Sequence, residues 1–301
     1  MVLLEKLITF FFQMTLLAIL FNLPILFIIF KKKYLTIPNG LSIAAGLGIL
    51  FFIIQPFFWL AMIVFFFSSS LLSKFKVEEK SQVTKDFEKG STKRDAMQVV
   101  ANGLIPLLFV GGYAISEMLP NFLESDVIVY NPYSPFFIGV FTAFAVHNAD
   151  TWATEIGILS KRTPRLITNL NLKVPPGTSG GVTTDGFLAS ILGGLLMGLV
   201  YLVATILLSP SLILFDRVIT NIILIMVGGF IGSILDSIEG ATIQGIFYCN
   251  HCNKETESNP HPRCGNTTTL KRGNIWINND FVNLSSALLV SMIIFLFISV
   301  I

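Results

Sequence analysis

The sequence predicts an all-α membrane protein, a bundle of about eight transmembrane helices, and three observations carry this prediction. Hydrophobic residues make up 53% of the 301 residues, and charged residues make up only 13%. The mean hydropathy of +0.75 lies far above that of a soluble globular domain. The apolar residues are also grouped into runs long enough to cross a bilayer as helices. We therefore expect one transmembrane domain that covers residues 1–301.

Eight apolar segments are predicted to form the spans, and two of them are short. The segments cover residues 4–30, 38–54, 56–73, 95–119, 134–158, 183–208, 217–247 and 281–301. The second and third segments are joined by Gln55 and Pro56, so they could cross the membrane fully or form a re-entrant hairpin. Either arrangement returns the chain to the side from which it entered.

The basic residues predict which side of the membrane each loop occupies. All of the 20 lysine and arginine residues except Lys6 and Arg217 fall in four loops, which an eight-span alternation places on one side. Because basic residues near span ends favour the cytoplasm, we expect these loops to be cytoplasmic and both termini to be external. The net charge of +2 indicates nothing beyond this asymmetry, and we expect no nucleic-acid partner.

The fifth predicted span carries the strongest indication of a functional site. Its second half, AVHNADTWATEIG, contains Asn148, Asp150 and Glu155. A carboxylate in hydrocarbon costs several kcal/mol, so acids within spans usually face the bundle interior and mark a site. On a helix, Asn148 and Glu155 share one face, and Asp150 belongs to an adjacent row. We expect these two polar rows to line a catalytic centre.

The seventh predicted span, which ends GGFIGSILDSIEGATIQG, provides a second acidic face. Asp236 and Glu239 are three residues apart, which places them on one side of a helix. If this side meets Asp150 and Glu155, several carboxylates converge, and their repulsion requires protons or a cation between them. Mg²⁺ is the expected cation because it takes carboxylate oxygens and bridges to nucleotide phosphates. A pair of structural, hydrogen-bonding acids is the alternative.

A glycine-rich loop lies between the fifth and sixth spans and predicts a phosphate-binding site. Its central residues are Gly177, Thr178, Ser179, Gly180 and Gly181. Glycines allow several backbone N–H groups to point at one centre, and the start of the following helix attracts anions. Lys173 precedes the loop and could add a positive charge. Loops of this composition are common turns, so the position after a carboxylate-bearing span is what favours phosphate.

The basic segment before the fourth span offers a further phosphate contact. Lys93 and Arg94 follow small residues at a predicted helix start, an arrangement suited to a phosphate. A solvated segment bound to anionic lipid headgroups is the alternative. Asn102, about two helical turns after Arg94, either contacts a bound ligand or makes an interhelical hydrogen bond. Asn279 and Asp280 present the same choice, between helix caps and contacts to a metal or nucleotide.

All three cysteines lie in one loop and predict a structural zinc site. Cys249 and Cys252 are followed by His261 and Cys264, in the spacing Cys-x2-Cys-x8-His-x2-Cys. Four such ligands suit tetrahedral Zn²⁺ and leave no open position for catalysis. We expect a zinc-ribbon-like insert over residues 248–266 that uses the ion for folding. Redox-active or incidental thiols are the alternative.

The ordered motifs resemble those of one integral membrane family. ADTWATEIG, SKRTPRLI, VPPGTSGGVTTDG, GSILDSIEGATIQ and NNDFVNL are similar to segments of the family that contains plant phytyl-phosphate kinase and eukaryotic transmembrane protein nineteen. The resemblance extends from Gly90 to Leu284, and the preceding residues match only as apolar spans and a basic segment. The cysteine-histidine insert looks like the version in archaeal members and is absent from many eukaryotic ones, which implies that the shared chemistry does not need it.

The resemblance implies transfer of a phosphoryl group from a nucleoside triphosphate, with CTP expected, to an isoprenyl monophosphate such as phytyl or geranylgeranyl phosphate. It therefore implies a Mg²⁺-dependent phosphotransferase that works among membrane lipids, and we expect it in a prokaryotic, archaeal cell membrane with a cytoplasm-facing site. We hypothesise that Asp150 and Asp236 hold Mg²⁺, with Glu155 and Glu239 as further acids. The predicted phosphate contacts are the glycine-rich loop, Lys93, Arg94 and Lys173, and the predicted acceptor contacts are Asn148 and Asn102.

Two other functions share some of these features. A CTP-dependent lipid cytidylyltransferase also combines acids in a span with a proline- and glycine-rich loop. An ion-coupled transporter also places acids within membrane spans and interrupts its apolar segments. The clustering of polar groups near one set of span ends, next to a loop suited to phosphate, favours the phosphotransferase.

Overall fold

The computed structural model describes residues 2–35, 38–83, 87–88, 95–125, 130–210, 214–262 and 264–300, most of them in helices. The helices are α1 Val2–Lys32, α2 Asn39–Ile54, α3 Pro56–Lys74, α4 Val77–Val83, α5 Ala96–Tyr113, α6 Leu119–Ser125, α7 Pro135–Ile158, α8 Thr184–Leu208, α9 Phe215–Thr242 and α10 Asn279–Val300. A π-helical turn, Ala114–Met118, joins α5 to α6. The break between α2 and α3 falls at Gln55. Pro56 is the first residue of α3, and the Gln55 side chain caps this helix by accepting a hydrogen bond from the Phe57 amide.

Two small sheets occupy the connections between helices. The strands are β1 Phe87–Glu88, β2 Arg165–Leu166, β3 Asn169–Lys173, β4 Gly181–Val182, β5 Ile246–Cys249, β6 Lys254–Thr256 and β7 Thr269–Arg272. The first sheet has the order β3-β2-β4 and is antiparallel. The second has the order β1-β6-β5-β7, in which β5 pairs antiparallel with both β6 and β7.

Helices form over all eight segments that the sequence assigned to spans, but fewer of these helices are long and apolar enough to cross a membrane. In the described ranges, six helices are long and apolar enough to cross a membrane, namely α1, α3, α5 with its continuation through the π-helical turn into α6, α8, α9 and α10. The helix α2 has only 16 residues. The helix α7 has 24 residues, but its second half is polar. A mostly helical membrane protein is therefore established, whereas the count of eight full spans is not.

The helix α7 is the centre of the bundle. Every residue from Phe137 to Ala149 is buried. It packs against α3, α5, α8, α9 and α10, so that apolar helices separate it from the surroundings. Its buried aromatic rings contact Phe58 of α3 and Tyr201 of α8. Because α7 faces protein rather than lipid, it can carry acids that an outer helix could not.

Glycines on α8 and α9 bring the backbones of these helices against α7. A Cβ atom at Gly193 of α8 would lie 3.0 Å from the Ala149 Cα. A Cβ atom at Gly229 of α9 would lie 2.9 Å from the Ala145 carbonyl oxygen. Small residues permit this close approach between membrane helices. The three helices α7, α8 and α9 therefore form a tight unit, and the site described below lies at one end of it.

Candidate active site

A cleft opens at one end of the unit formed by α7, α8 and α9, where β4 and the glycine-rich loop cover it. It is open to solvent and is lined by both polar and apolar groups. Its walls include Asp150 of α7, Asp236 of α9, the loop Gly177–Gly181, Thr183 and Asn279. The cleft thus combines two carboxylates from separate helices with a glycine-rich backbone segment.

The two acids meet because α7 and α9 run in the same direction and touch closely. A Cβ atom at Gly232 would lie 2.5 Å from the side chain of Val146. Asp150 and Asp236 each follow this contact by four residues, which is about one helical turn, so they reach the same level. Asp236 is buried and Asp150 is half-buried. Both are sheltered from lipid, which reduces the cost of placing carboxylates at this depth.

The glycine-rich loop uses backbone conformations that favour glycine. Gly177 has φ of 87° and Gly180 has φ of 79°, both in the left-handed region. Two tight turns form where the Thr178 amide donates to the Pro175 carbonyl and the Gly181 amide donates to the Thr178 carbonyl. Within the described ranges, the amides of Gly177, Ser179 and Gly180 donate to no protein group. These amides are available to an anion.

Two long helices also begin at the cleft. Thr183 is the N-cap of α8, and its hydroxyl oxygen accepts a hydrogen bond of 3.0 Å from the Gly186 amide. Asn278 caps α10 in the same way, since its side-chain oxygen accepts 2.9 Å from the Phe281 amide. Asn279, the first residue of α10, lines the cleft. Helix N-termini carry partial positive charge, so both ends favour an anion in the cleft.

The second polar row of α7 does not reach the cleft. The Asn148 side chain is fully buried, and its oxygen accepts hydrogen bonds from Ser68 at 2.9 Å and Ser69 at 3.1 Å. Its nitrogen donates to the Gly193 carbonyl at 2.8 Å. Asn148 therefore joins α3, α7 and α8, and the expectation that it contacts the acceptor does not fit this geometry. At about 100° per residue, it lies on the far side of α7 from Asp150.

Glu155 shares that far side and is held by α3 and α4. Its carboxylate accepts 2.6 Å from the Ser73 hydroxyl and 2.6 Å from the Lys80 ammonium. Lys80 also donates to the Leu72 carbonyl at 2.5 Å. Because both carboxylate oxygens have partners outside the cleft, the structure does not bring Glu155 to Asp150 as a further acid for Mg²⁺.

Glu239 is likewise separated from Asp236. The Ser285 hydroxyl of α10 donates 2.5 Å to its carboxylate, and Glu239 is not among the residues that line the cleft. The cleft face of α9 is formed by Ser233, Asp236 and Ser237. Glu239 lies about 110° away from the middle of that face, although only three residues separate it from Asp236. The interpretation of Glu239 as a structural, hydrogen-bonding acid fits its position.

The predicted basic and amide contacts are also dispersed. Lys173 is exposed on β3 and does not line the cleft. Asn102 lines a different, apolar pocket among α1, α2, α3 and α5. Lys93 and Arg94 lie outside the described residues. Among the described residues, the cleft therefore presents backbone amides and helix N-termini to an anion rather than these cations.

The four cysteine and histidine residues of the insert converge on one point. The ligand atoms of Cys249, Cys252, His261 and Cys264 all lie within 4.8 Å of one another. The Cys249 and Cys264 sulfur atoms are 3.6 Å apart, and the His261 Nδ1 atom is 3.8 Å from Cys252 and 3.4 Å from Cys264. None of the three thiols forms a disulfide. A backbone hydrogen bond from Asn266 lowers the pKa of the Cys264 thiol, which favours the thiolate.

The folded insert is larger than the predicted residues 248–266. The strands β5, β6 and β7, which surround the cluster, extend in the chain from Ile246 to Arg272, and we call residues Ile246–Arg272 the Cys/His module. Ligand spacing marked only the part around the cysteines. Strand pairing at Ile246 and Arg272 could not be inferred from that spacing, because it depends on where the chain returns after Cys264.

Several residues that line the cleft were absent from the predicted site. Ser237, Ala153, Gly157 and Phe187 supply wall atoms between the acids and the loop. The signal for Ser237 was its place directly after Asp236, four residues beyond Ser233. The other three carry no chemical signal, since alanine, glycine and phenylalanine in an apolar run are typical of packing.

Comparison with known proteins places the chain in a family. The sequence model described as "Integral membrane protein DUF92" matches residues 20–291. The chain belongs to this family. The chain is 32% identical over 285 residues to Protein PGR of Arabidopsis thaliana, an alignment that covers 92% of this chain and 93% of that protein. It is 29% identical over 233 residues to the uncharacterized membrane protein MJ0933 of Methanocaldococcus jannaschii, which covers 76% of this chain and 84% of that protein. No solved structure is significantly similar to the chain.

Proposed function

We propose that this DUF92 protein is a Mg²⁺-dependent kinase that transfers a phosphoryl group from a nucleoside triphosphate, with CTP expected, to an isoprenyl monophosphate. The observation that carries the proposal is the cleft that Asp150, Asp236 and the loop Gly177–Gly181 line together. A carboxylate pair suits a divalent cation, and the backbone amides opposite suit phosphate. The resemblance to the phytyl-phosphate kinase family supplies the substrate class.

The residues of the cleft fit Mg²⁺ by their chemistry. Asp150 and Asp236 offer carboxylate oxygens from two helices, and Ser233 and Ser237 offer hydroxyl oxygens nearby. Mg²⁺ prefers such oxygen ligands and retains several waters. When bound, the ion would act as a Lewis acid that reduces the negative charge on the phosphates. Asp150 and Asp236 are the proposed ligands, whereas Glu155 and Glu239 act in packing.

The phosphates are proposed to bind opposite the acids. The amides of Gly177, Ser179 and Gly180 and the N-termini of α8 and α10 supply positive ends of backbone dipoles. Such preorganised donors stabilise the charge on a phosphoryl group during transfer. A monophosphate acceptor is already ionised at neutral pH, so the reaction needs no dedicated base. The chain's contribution is alignment and charge stabilisation.

We propose that the cleft faces the cytoplasm of a prokaryotic, archaeal cell and accepts a lipid from the membrane. The described basic residues that follow α3, α7 and α9 lie at the same helix ends as the cleft, and basic residues near span ends favour the cytoplasm. Ile158 and Phe187 give the cleft an apolar edge on which a prenyl chain could rest. An archaeal relative of 29% identity is consistent with this source.

We also propose that the Cys/His module binds one structural Zn²⁺. Zinc–sulfur bonds of about 2.3 Å at tetrahedral angles separate two sulfur atoms by about 3.8 Å, close to the observed cysteine spacing. A small module with few buried residues gains much of its folding energy from such an ion. We expect metal analysis of purified protein to give one zinc per chain and Cys252→Ser to lose it. Full retention of zinc in that variant would contradict the ligand assignment.

The activity is tested by product analysis of purified protein in lipid nanodiscs. The protein is given geranylgeranyl or phytyl phosphate, Mg²⁺, and CTP or ATP labelled on the γ-phosphate. A kinase yields labelled prenyl diphosphate and the nucleoside diphosphate. Formation of a CDP-lipid with pyrophosphate would instead identify a cytidylyltransferase. Ion flux with no nucleotide turnover would identify a transporter.

The metal assignment is tested by two matched acids on α9. Asp236→Asn keeps the shape of the side chain but removes the charge of a proposed metal ligand. Turnover should fall at least about a hundredfold, which corresponds to a loss of about 2.8 kcal/mol of transition-state stabilisation. Glu239→Gln changes an acid three residues away that contacts α10, and it should keep most of the turnover. Equal losses in both variants would remove the distinction between them, and with it the assignment of Asp236.

A further inference from the structure

Arg272, at the end of β7, contacts both the glycine-rich loop and the end of α9. Its Nη2 atom donates 2.8 Å to the Ser179 carbonyl, and its Nη1 atom donates 2.5 Å to the Ala241 carbonyl. Ala241 lies in the last turn of α9, where the backbone carbonyls have no amide donor within the helix. A cation at this end also complements the helix dipole. Arg272 therefore joins two walls of the cleft from outside.

The role of this arginine depends on its shape as well as its charge. In the described part of the chain, its hydrogen-bond acceptors are these two carbonyls, and no carboxylate lies within ion-pair distance. Burial lowers the pKa of the guanidinium, but an arginine stays protonated at neutral pH. A planar fork can reach two carbonyls at once, which a lysine ammonium on a flexible stem does less well.

The loop is seated directly on α9 beneath the arginine. The Ser179 hydroxyl donates to the Gln244 side chain at 2.8 Å and approaches the Gly240 carbonyl at 3.2 Å. A Cβ atom at Gly180 would lie 2.4 Å from the Ala241 side chain, so only glycine permits this approach. Asp236 lies one turn before Gly240 on the same helix. The contacts of Arg272 and Ser179 with the end of α9 therefore fix the position of the loop relative to Asp236.

The Cys/His module determines where Arg272 lies. The strand β7 pairs with β5, with Arg272 opposite Ile246. At its other end, β5 contributes Cys249 to the four-residue cluster. After Arg272, Gly273 adopts φ of 76° and Asn274 donates 2.9 Å to the Ile243 carbonyl, which returns the chain to the end of α9. The four-residue cluster and Arg272 thus lie at opposite ends of the strand pair β5–β7.

We infer that Arg272 is a positioning residue for the glycine-rich loop, and that the metal-bound Cys/His module is the structure that presents it. One part of the inference rests on the proposed function, namely that an ordered loop binds the nucleotide phosphates more tightly. Its structural part concerns the order of the loop with no ligand present. It differs from the expectation that the insert is irrelevant to the shared chemistry, because the insert here donates a hydrogen bond to the loop.

Hydrogen exchange of the loop tests the structural part in the absence of nucleotide. In Arg272→Gln, the Thr178 and Gly181 amides, which donate hydrogen bonds within the loop, should exchange at least about tenfold faster than in the wild type, because a half-buried contact that closes the loop is lost. The control is Lys271→Gln, which alters the neighbouring residue of β7, whose side chain pairs with Glu255. The control should leave the exchange of the loop unchanged. Wild-type exchange of the loop in Arg272→Gln would overturn the inference.

Arg272→Lys keeps the protein testable if the glutamine variant does not fold. The lysine retains a cation at the end of α9 but cannot hold both carbonyls as a fork. Exchange of the loop between the wild-type rate and that expected for Arg272→Gln supports the inference. A rate equal to that of the wild type contradicts it, since charge alone would then be sufficient.

Removal of the metal tests the role of the module. Chelation of zinc from the wild type should accelerate exchange of the Thr178 and Gly181 amides, and the same treatment of Arg272→Gln should add little to the exchange of that loop. Equal and additive acceleration in both proteins would show that the metal and the arginine act separately. An unaltered loop in the metal-free wild type would overturn the link to the module.

Kinetics then separate this inference from the proposed function. For an active kinase, Arg272→Gln should raise KM for Mg–CTP at least about tenfold and lower kcat by a smaller factor, as expected for weakened binding. Millimolar guanidinium should restore part of the affinity in Arg272→Ala. A rise in KM with normal loop exchange would contradict positioning. If the wild type shows no kinase activity, the proposed function fails, and the exchange experiments still decide the inference.

Discussion

Neighbouring side chains on α7 have different roles because they leave the helix at different angles. Asp150 lines the cleft, whereas Asn148 bonds to α3 and α8. The same separation occurs on α9, where Asp236 lines the cleft and Glu239 accepts from Ser285 of α10. A polar residue within a span is therefore not sufficient evidence of catalysis. Its hydrogen-bond partners decide whether it holds helices together or faces a ligand.

Replacement of Asn148 and Asp150 should therefore have opposite effects. Asn148→Ala leaves buried partners without their hydrogen bonds, which costs about 1–3 kcal/mol of stability, and turnover of the surviving folded protein should persist. Asp150→Ala should abolish turnover and leave stability unchanged or higher. Thermal unfolding in detergent and turnover in nanodiscs measure the two effects. Loss of turnover with normal stability in Asn148→Ala would contradict the structural role.

The glycine-rich loop provides a second prediction for a single residue. Gly180→Ala requires a left-handed backbone and places a methyl group 2.4 Å from the Ala241 side chain. This strain costs about 1–3 kcal/mol and should displace the loop, so that KM for Mg–CTP rises. Gly111→Ala is the control, since nothing lies within 4 Å of the added atom. It should keep the wild-type KM, and an unchanged KM in Gly180→Ala would argue against phosphate binding by this loop.

The short helix α4 shows how elements outside the cleft hold the bundle. It has only 7 residues, too few to be stable alone, so tertiary contacts keep it helical. Lys80 supplies these contacts through Glu155 of α7 and the Leu72 carbonyl of α3. The side chains of Lys80 and Glu155 are only 8% and 18% exposed, which makes their pairing more important than a surface ion pair.

Glu155→Gln should release α4 without loss of chemistry. The change leaves the Lys80 charge without its carboxylate, and breaking such a buried pair costs up to about 3–5 kcal/mol. We expect faster trypsin cleavage at Lys76 and Lys80, a lower unfolding temperature, and retained turnover. The control is Glu79→Gln, because the Glu79 pair with Lys76 is half exposed and contributes at most about 1 kcal/mol. Abolished turnover in a folded Glu155→Gln protein would return Glu155 to the proposed metal ligands.

At the scale of the whole molecule, the polar parts are gathered at one end of an apolar bundle. The cleft, both sheets and the Cys/His module connect the same ends of the long helices. The opposite ends are joined by segments that include residues 119–134 and 209–214, which carry no lysine or arginine. This polarity predicts a single orientation, with the cleft in the cytoplasm.

Reporter fusions test that orientation. Green fluorescent protein inserted between Ile167 and Thr168, in the turn between β2 and β3, should fluoresce, because that turn is predicted to be cytoplasmic. Alkaline phosphatase fused after Ile301 should be active, since the C-terminus is predicted to be external. The reverse pattern would place the cleft outside the cell, where nucleoside triphosphates are scarce, and would remove the basis for the kinase.

Much of the architecture could be predicted from the sequence because it depends on local patterns. The apolar runs mark each long helix, and Pro56 and Pro135 mark two of their starts. The spacing of Cys249, Cys252, His261 and Cys264 anticipated a cluster that does converge. Whether α2 and α7 cross the membrane was less predictable, because their length and polarity are those of segments that other helices shelter.

The sequence by itself determined the membrane character of this protein, the approximate extent of its long helices and the pool of polar residues that could form a site. The tertiary structure alone decided which of those residues meet. Helical periodicity assigns Asp150 and Glu155 to faces of α7, but it does not state which neighbour each face contacts. Packing at Gly229 and Gly232 aligns α7 with α9, so that Asp150 and Asp236 line the same cleft. Glu155, on the other side of α7, pairs with Lys80 instead.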